Sequence, residues 1–121
     1  MDIFRKPTRN ISSPNTVITA NWFPIRNKCP DNEIAELAKI LNTAKKITIF
    51  GGVGCARAHT ELIELAGRLQ APIVHALRGK EFIEFDNPFD VGMTGLVGIS
   101  SGYYAMMNCD VVLMMTETID I

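Results

Sequence analysis

The chain has only three cysteines, at positions 29, 55 and 109, and two histidines, His59 and His75. No C-x-x-C pair exists, so the spacing speaks against a zinc framework, and free thiols in a reducing compartment are expected. No charged start followed by an apolar stretch opens the chain, and no apolar run reaches the roughly 18 residues of a membrane span. Neither a secretory signal nor a membrane segment is therefore expected, and a cytoplasmic location follows from that reading. An excess of one charge is also lacking: 12 basic and 13 acidic residues leave a formal net charge of -1. That balance carries no footprint of a nucleic-acid partner. Proline thins out early, since Pro7, Pro14, Pro24 and Pro30 account for four of the six.

What is present suits a single domain: 121 residues, 47% hydrophobic, are enough to bury a core. Residues 1–30 set their prolines among Asn, Ser and Thr with no sustained period, and carry Arg5, Lys6, Arg9, Arg26 and Lys28 against the single acid Asp2. They read as an extended linker. Trp22 and Phe23 are costly to leave in water, so the later part of the linker is expected to dock on the domain that follows.

That domain, residues 31–121, is organised around the stretch 47–69. Ile47, Thr48, Ile49 and Phe50 run straight into Gly51, as in a short strand covered on both faces. Beyond Gly54 the period changes to that of a helix, with Ala58, Leu62, Leu65, Ala66 and Leu69 on one face. A strand feeding a helix through the turn Gly51-Gly52-Val53-Gly54 opens a βαβ unit. The turn permits close backbone approach, and a helix start there would offer its unpaired N–H groups to a phosphate-sized anion.

Upstream, Asp31 stands as an N-cap before Ile34, Leu37, Ala38 and Leu41, which predicts a helix ending near residues 42–44. Downstream, Ala71-Pro72 stops the central helix and Ile73–Leu77 supplies a second strand. In an open parallel sheet the carboxyl ends of neighbouring strands share one crevice, which sets Arg78 beside the glycine turn as a bidentate anion contact. His75 and His59 read as structural. Residues 81–90 form a connector with aromatic anchors, and their carboxylates are expected to be solvated. Val91–Gly98 gives a short strand breaking into a second glycine turn. Residues 100–107 form a weakly periodic helix packing through Ile99, Tyr103 and Met106, and Val111–Met115 a fourth buried strand. The sum is an α/β fold: a doubly wound, three-layer parallel sheet of order 3-2-1-4, with the fourth strand at an apolar edge that invites pairing with another copy or another domain.

For the ligand of such a crevice, the dinucleotide fingerprint G-x-G-x-x-G/A is half met, since Gly52 and Gly54 fit but Arg57 holds the third position. Arg78 stands where an acid would bind a ribose 2′-OH, which weakens a nicotinamide reading. The phosphate-loop pattern fails around Gly79-Lys80. Cys55, although near a helix start that would acidify it, has no base partner. The residues alone give an anion crevice without a catalyst.

The runs 52–59, 71–81 and 86–98, with Arg78-Gly79-Lys80 and Met93-Thr94-Gly95-Leu96 at their centres, resemble the central domain of the pyruvate oxidase type of thiamine-diphosphate enzymes, the pyruvate:quinone dehydrogenase branch above all. The resemblance covers residues 30–115 and implies a Rossmann-like domain that holds FAD, within an enzyme that decarboxylates pyruvate oxidatively. It assigns Gly52, Gly54, Arg78, Thr94, Gly95, Leu96 and Val97 to cofactor contacts. Thiamine diphosphate and Mg2+ would belong to flanking domains that this chain lacks, and association with those domains, or as a homo-oligomer, is implied. The family's turn Gly-Thr-x-Phe-Pro-Tyr after the fourth strand is replaced by Thr116–Ile121, and the expectation is a domain incomplete at its C-terminus that binds FAD and packs against subunits without being catalytic by itself. A remnant serving only assembly, or an acetolactate synthase-like relative, are the alternative expectations.

Overall fold

A computed structural model of the chain describes residues 28–116. The linker reading, with Trp22 and Phe23, and the substituted turn at residues 117–121 fall outside them. In chain order the elements are α1 Asp31–Thr43, β1 Ile47–Gly51, a 3-10 turn Val53–Arg57, α2 His59–Leu69, β2 Ile73–His75, a 3-10 turn Leu77–Gly79 running into α3 Lys80–Ile83, β3 Asp90–Met93, α4 Ser100–Met107 and β4 Val111–Met115. The strands form one parallel sheet of order β3-β2-β1-β4.

Strand alternation divides the side chains of β1 between two layers. Ile49 and Ile73 lie side by side in the β1–β2 register. With Leu62 and Ala66 of α2, Ile83 of α3, Cys55 and Ala71 they make a core in which each residue is at most 1% exposed. Burying a side chain of the size of Leu62 or Ile83 contributes about 1.5–3 kcal/mol. The opposite face of β1 carries Thr48, whose hydroxyl donates to Ala105 O of α4 at 2.8 Å. A β-branched polar residue is buried there without cost because a helix carbonyl satisfies it.

The segment joining α4 to β4 is tied to the entrance of β1 through Asp110. Asp110 accepts from the backbone N–H groups of Lys45 and Lys46 at 3.2 and 3.0 Å, tying the entrance of β1 to that of β4. At the other end of α4, Gly102 crosses β3 so closely that a Cβ there would lie 2.6 Å from Met93 O. That contact brings the start of α4 onto the end of β3.

Several boundaries differ from the sequence expectation. Pro30, not Asp31, occupies the N-cap of α1, its carbonyl accepting from Glu33 and Ile34 N–H, each at 3.1 Å. Asp31 and Glu33 instead fill the first turn, where they favour the helix dipole. The central helix begins at His59 rather than just beyond Gly54, because the 3-10 turn intervenes. It ends at Gln70, whose φ of 51° closes the helix before Pro72. Tyr103 does not pack inward and is 55% exposed, because Gly102 rather than a large side chain forms the close helix contact; Ile99, although 53% exposed, lays its side chain on Gly92 of β3. Most of α1 is also exposed, with Leu41 its one buried residue, and Val112 and Met114 of β4 are bare on the α4 face.

Candidate functional site

The sheet gathers the turns after β1 and β2 at its carboxyl end. Ala76 N–H donates to Gly51 O at 2.9 Å, and Gly52 N–H to Met115 O at 3.0 Å, so the glycine turn is anchored to both neighbours. Gly79 presses against it: a Cβ on Gly79 would meet Gly51 O and Gly52 Cα, each at 3.1 Å. Only hydrogen fits there comfortably, and this close approach fixes Arg78 next to the first turn. Between them opens a cavity of about 560 Å³ lined by Val53, Leu77, Arg78, Lys80, Glu81 and Phe82.

Of the residues singled out from the sequence, Gly52 is buried under the sheet end, Gly54 is exposed, and Arg78 is exposed on the cavity wall. Val53, between the two glycines, lines the same cavity, so the glycine turn and Arg78 are brought together. Thr94, Gly95, Leu96 and Val97 form the turn after β3. Gly95 adopts φ +108°, and Leu96 and Val97 stand fully or largely in solvent. Thr94 and Gly95 line a separate cavity of about 280 Å³ with Gly98, Ile99, Ser100, Tyr103 and Tyr104. The link between the two groups runs through β2, since Thr94 N–H donates to His75 O at 3.2 Å.

The helix start lies at His59, several residues past the glycines, so the backbone near Gly52 and Gly54 belongs to the 3-10 turn and not to the first turn of α2. Cys55 is no acidified nucleophile either. Its thiol is buried, faces Met115 O at 3.3 Å, and burial pushes its pKa up against a lowering contact with the Gly52 backbone. His59 is structural, as expected: Nδ1 contacts Phe82 O at 2.8 Å and the ring stacks on Phe85 at 4.0 Å between centroids.

The sequence reading missed exposed groups at both cavities. Leu77 is 63% exposed beside Arg78, and Tyr103 and Tyr104 are 55% and 62% exposed, their rings edge to face at 5.7 Å. Large apolar and aromatic groups left in solvent at a cleft are typical of ligand walls. The signal was available for Leu77, which follows β2 into the crevice. It was not available for Tyr103, whose helical spacing suggested core. The connector carboxylates also divide: Glu84 pairs with Lys80, which lowers its pKa, while Asp90 is only 13% exposed and burial raises it. The expectation that these acids are solvated therefore fails at Asp90, which the pairing of β3 with β2 draws inward.

Residues 34–120 match the family model for the central domain of thiamine pyrophosphate enzymes. Among curated proteins, an uncharacterised 42.6 kDa protein of Pseudomonas amyloderamosa is 58% identical over 83 residues, covering 69% of this chain and 21% of that protein. A putative thiamine pyrophosphate-containing protein of Bacillus subtilis is 35% identical over 69% of the chain and 14% of its own length. The large subunit of acetolactate synthase isozyme 2 of Escherichia coli is 29% identical over 82% of the chain and 19% of its own length. The chain thus spans about a fifth or less of these relatives.

Proposed function

The chain belongs to the central-domain family of thiamine pyrophosphate enzymes, and from that premise we propose that it is a cofactor-holding domain which binds FAD across the crevice and packs against the thiamine-bearing domains of a larger enzyme. One observation carries the reading: the close packing of Gly79 on Gly51 and Gly52, which sets a guanidinium and a glycine turn on one cavity at the carboxyl end of a parallel sheet.

The donor set fits FAD. Arg78 can grip pyrophosphate oxygens in bidentate fashion, and the turn Gly52–Gly54 lets backbone approach them without a side chain between. Leu77 and Val53 offer apolar cover. The Thr94–Val97 turn, with Gly95 in the left-handed region, and the exposed Tyr103 and Tyr104 offer a second contact region at the separate cavity after β3. When bound, FAD supplies a two-electron acceptor; this chain's own residues bind, orient and shield it. Arg78-Gly79-Lys80 and Met93-Thr94-Gly95-Leu96 favour a parent of the pyruvate oxidase branch, oxidising pyruvate as it is decarboxylated, over an acetolactate synthase parent. Magnesium and thiamine diphosphate would be held by other domains.

Titration of the full chain with FAD, read by quenching of flavin fluorescence, tests the proposal. Saturable quenching that weakens in Arg78→Ala is the expected result. A folded chain without binding refutes it and favours the second reading, an assembly domain without cofactor. That reading has its own support in the exposed Val112 and Met114 of the edge strand and Ile34, Leu37 and Ile40 of α1. Concentration-dependent sedimentation would reveal such self-association.

A further inference from the structure

His75, at the carboxyl end of β2, keeps only 2% of its side chain exposed, and the polar atoms against its two ring nitrogens are acceptors. Nδ1 lies 3.3 Å from Ala76 O, while Nε2 lies 3.5 Å from Asp90 Oδ1 and 3.8 Å from Glu84 Oε2. A neutral imidazole has one N–H and one bare lone pair. Whichever nitrogen is bare therefore points its lone pair at an oxygen lone pair. Nε2 and Asp90 Oδ1 are both buried without a hydrogen-bond partner among the described residues, and an arrangement of that kind is costly in a low-dielectric interior. A single additional proton between them removes the conflict.

The neighbouring groups leave Asp90 as the partner. On α3, Lys80 already neutralises Glu84. On α4, Ser101 spends its hydroxyl hydrogen on Val91 O at 2.6 Å. Burial raises the Asp90 pKa, which favours retention of a proton within the pair. The backbone supplies a reason for such a pair here. Ile73 pairs with Asp90 but His75 pairs with Met93, so β3 carries one extra residue over this span and the ladder is interrupted.

We propose that one proton is held between His75 Nε2 and Asp90 Oδ1, and that this bridged pair pins β3 to β2 across the bulge, positioning the turn that begins at Thr94. The side chain of His75 holds β3 while its carbonyl accepts from Thr94 N–H, so both contacts on the one residue set where the turn starts. The pair itself needs no cofactor; only its value for ligand binding rests on the function proposed above.

The chain has two histidines, which makes nitrogen-15 NMR of the whole polypeptide decisive, with His59→Gln for assignment. The expected result near neutral pH is a far-downfield, solvent-protected proton coupled to His75 Nε2, absent from Asp90→Asn. In Asp90→Ala the amide of Thr94 should exchange about tenfold or more faster, the range for a lost charge-assisted hydrogen bond, with α2 amides unchanged. Asp90→Asn should restore most of that protection, because its amide can donate to a bare Nε2. A folded parent with no such protected proton at His75 Nε2, or unchanged Thr94 exchange in Asp90→Ala, overturns the proposal. The parental spectrum decides the first point even if a variant fails to fold. FAD titration of the same samples separates the two ideas, since a bridged proton in a chain that ignores FAD would refute the cofactor and leave the pair standing.

Discussion

Replacing Gly102 by alanine should destabilise the protein, although it removes a glycine from a helix. In an exposed helix the change would be favourable by about 1 kcal/mol. At this crossing the added Cβ would sit 2.6 Å from Met93 O and 3.0 Å from Met93 C. Ordinary contact requires a retreat of roughly 0.7 Å, and the obstacle is strand backbone, which cannot rotate aside as a side chain could. Overpacking of this sort costs about 1–3 kcal/mol, and contact with backbone argues for the upper end. Against the propensity gain, the net loss should be about 1–2 kcal/mol. For a domain of this size that lowers the melting temperature by about 5–15 °C. Thermal and urea unfolding followed by circular dichroism would measure it, with an unchanged urea slope as the check that only stability moved. Because the retreat of α4 also shifts Met93 and Thr94, FAD affinity should fall in Gly102→Ala. A variant more stable than the parent would show that α4 does not rest on β3 at Gly102, and would refute the reasoning.

Ile83→Ala should cost about 2–5 kcal/mol in urea unfolding, because Ile83 is fully buried against Gly51 and the site cannot collapse onto a strand. Arg78→Ala should weaken FAD binding while leaving the melting temperature within about 3 °C, since the side chain is exposed; a large stability loss would mean that Arg78 serves the fold. Among the thiols, Cys29 is exposed and should alkylate at once, while Cys55 should react only as the chain opens. Burial raises the Cys55 pKa in the folded chain, so its contribution to stability is full below the unfolded value near about 8.5 and is lost as pH rises through the folded one. Between about pH 8 and 10 the parent should therefore lose more stability than Cys55→Ala, and parallel losses would discount the thiol. Asp110→Ala should cost about 1 kcal/mol by freeing two backbone donors, measurable in the same urea series.

Period and punctuation were enough to read α4 as residues 100–107 and β4 as 111–115, and the rule of right-handed crossovers then leaves the order 3-2-1-4 as the natural outcome. The adjacency of Arg78 to the glycine turn was also legible, because strands of one parallel sheet end on the same side. Interactions that depend on register were not. Asp90 and His75 are fifteen positions apart, and it is the β2–β3 pairing, with Asp90 beside Ile73, that brings their side chains together. The outward Tyr103 could not be foreseen from spacing, since a helix that packs through glycine reverses the usual assignment of its large residues. The 3-10 turn before α2 was hidden for a similar reason, as Val53, Cys55 and Ala56 suit either geometry.

The pairing of β1 with β4 bears on how the protein is made. Ile47 pairs with Val111, and four more consecutive pairs follow along the two strands. Some sixty residues must be synthesised between one strand and its partner. At about 5–20 residues per second, β1 waits about 3–13 s with that edge unpaired, even though β2 reaches its other side far sooner. Throughout that interval the nascent chain presents the unpaired edge of Ile47–Gly51 to any passing strand, and a chaperone that shields this edge until Met115 emerges should raise the yield of folded protein.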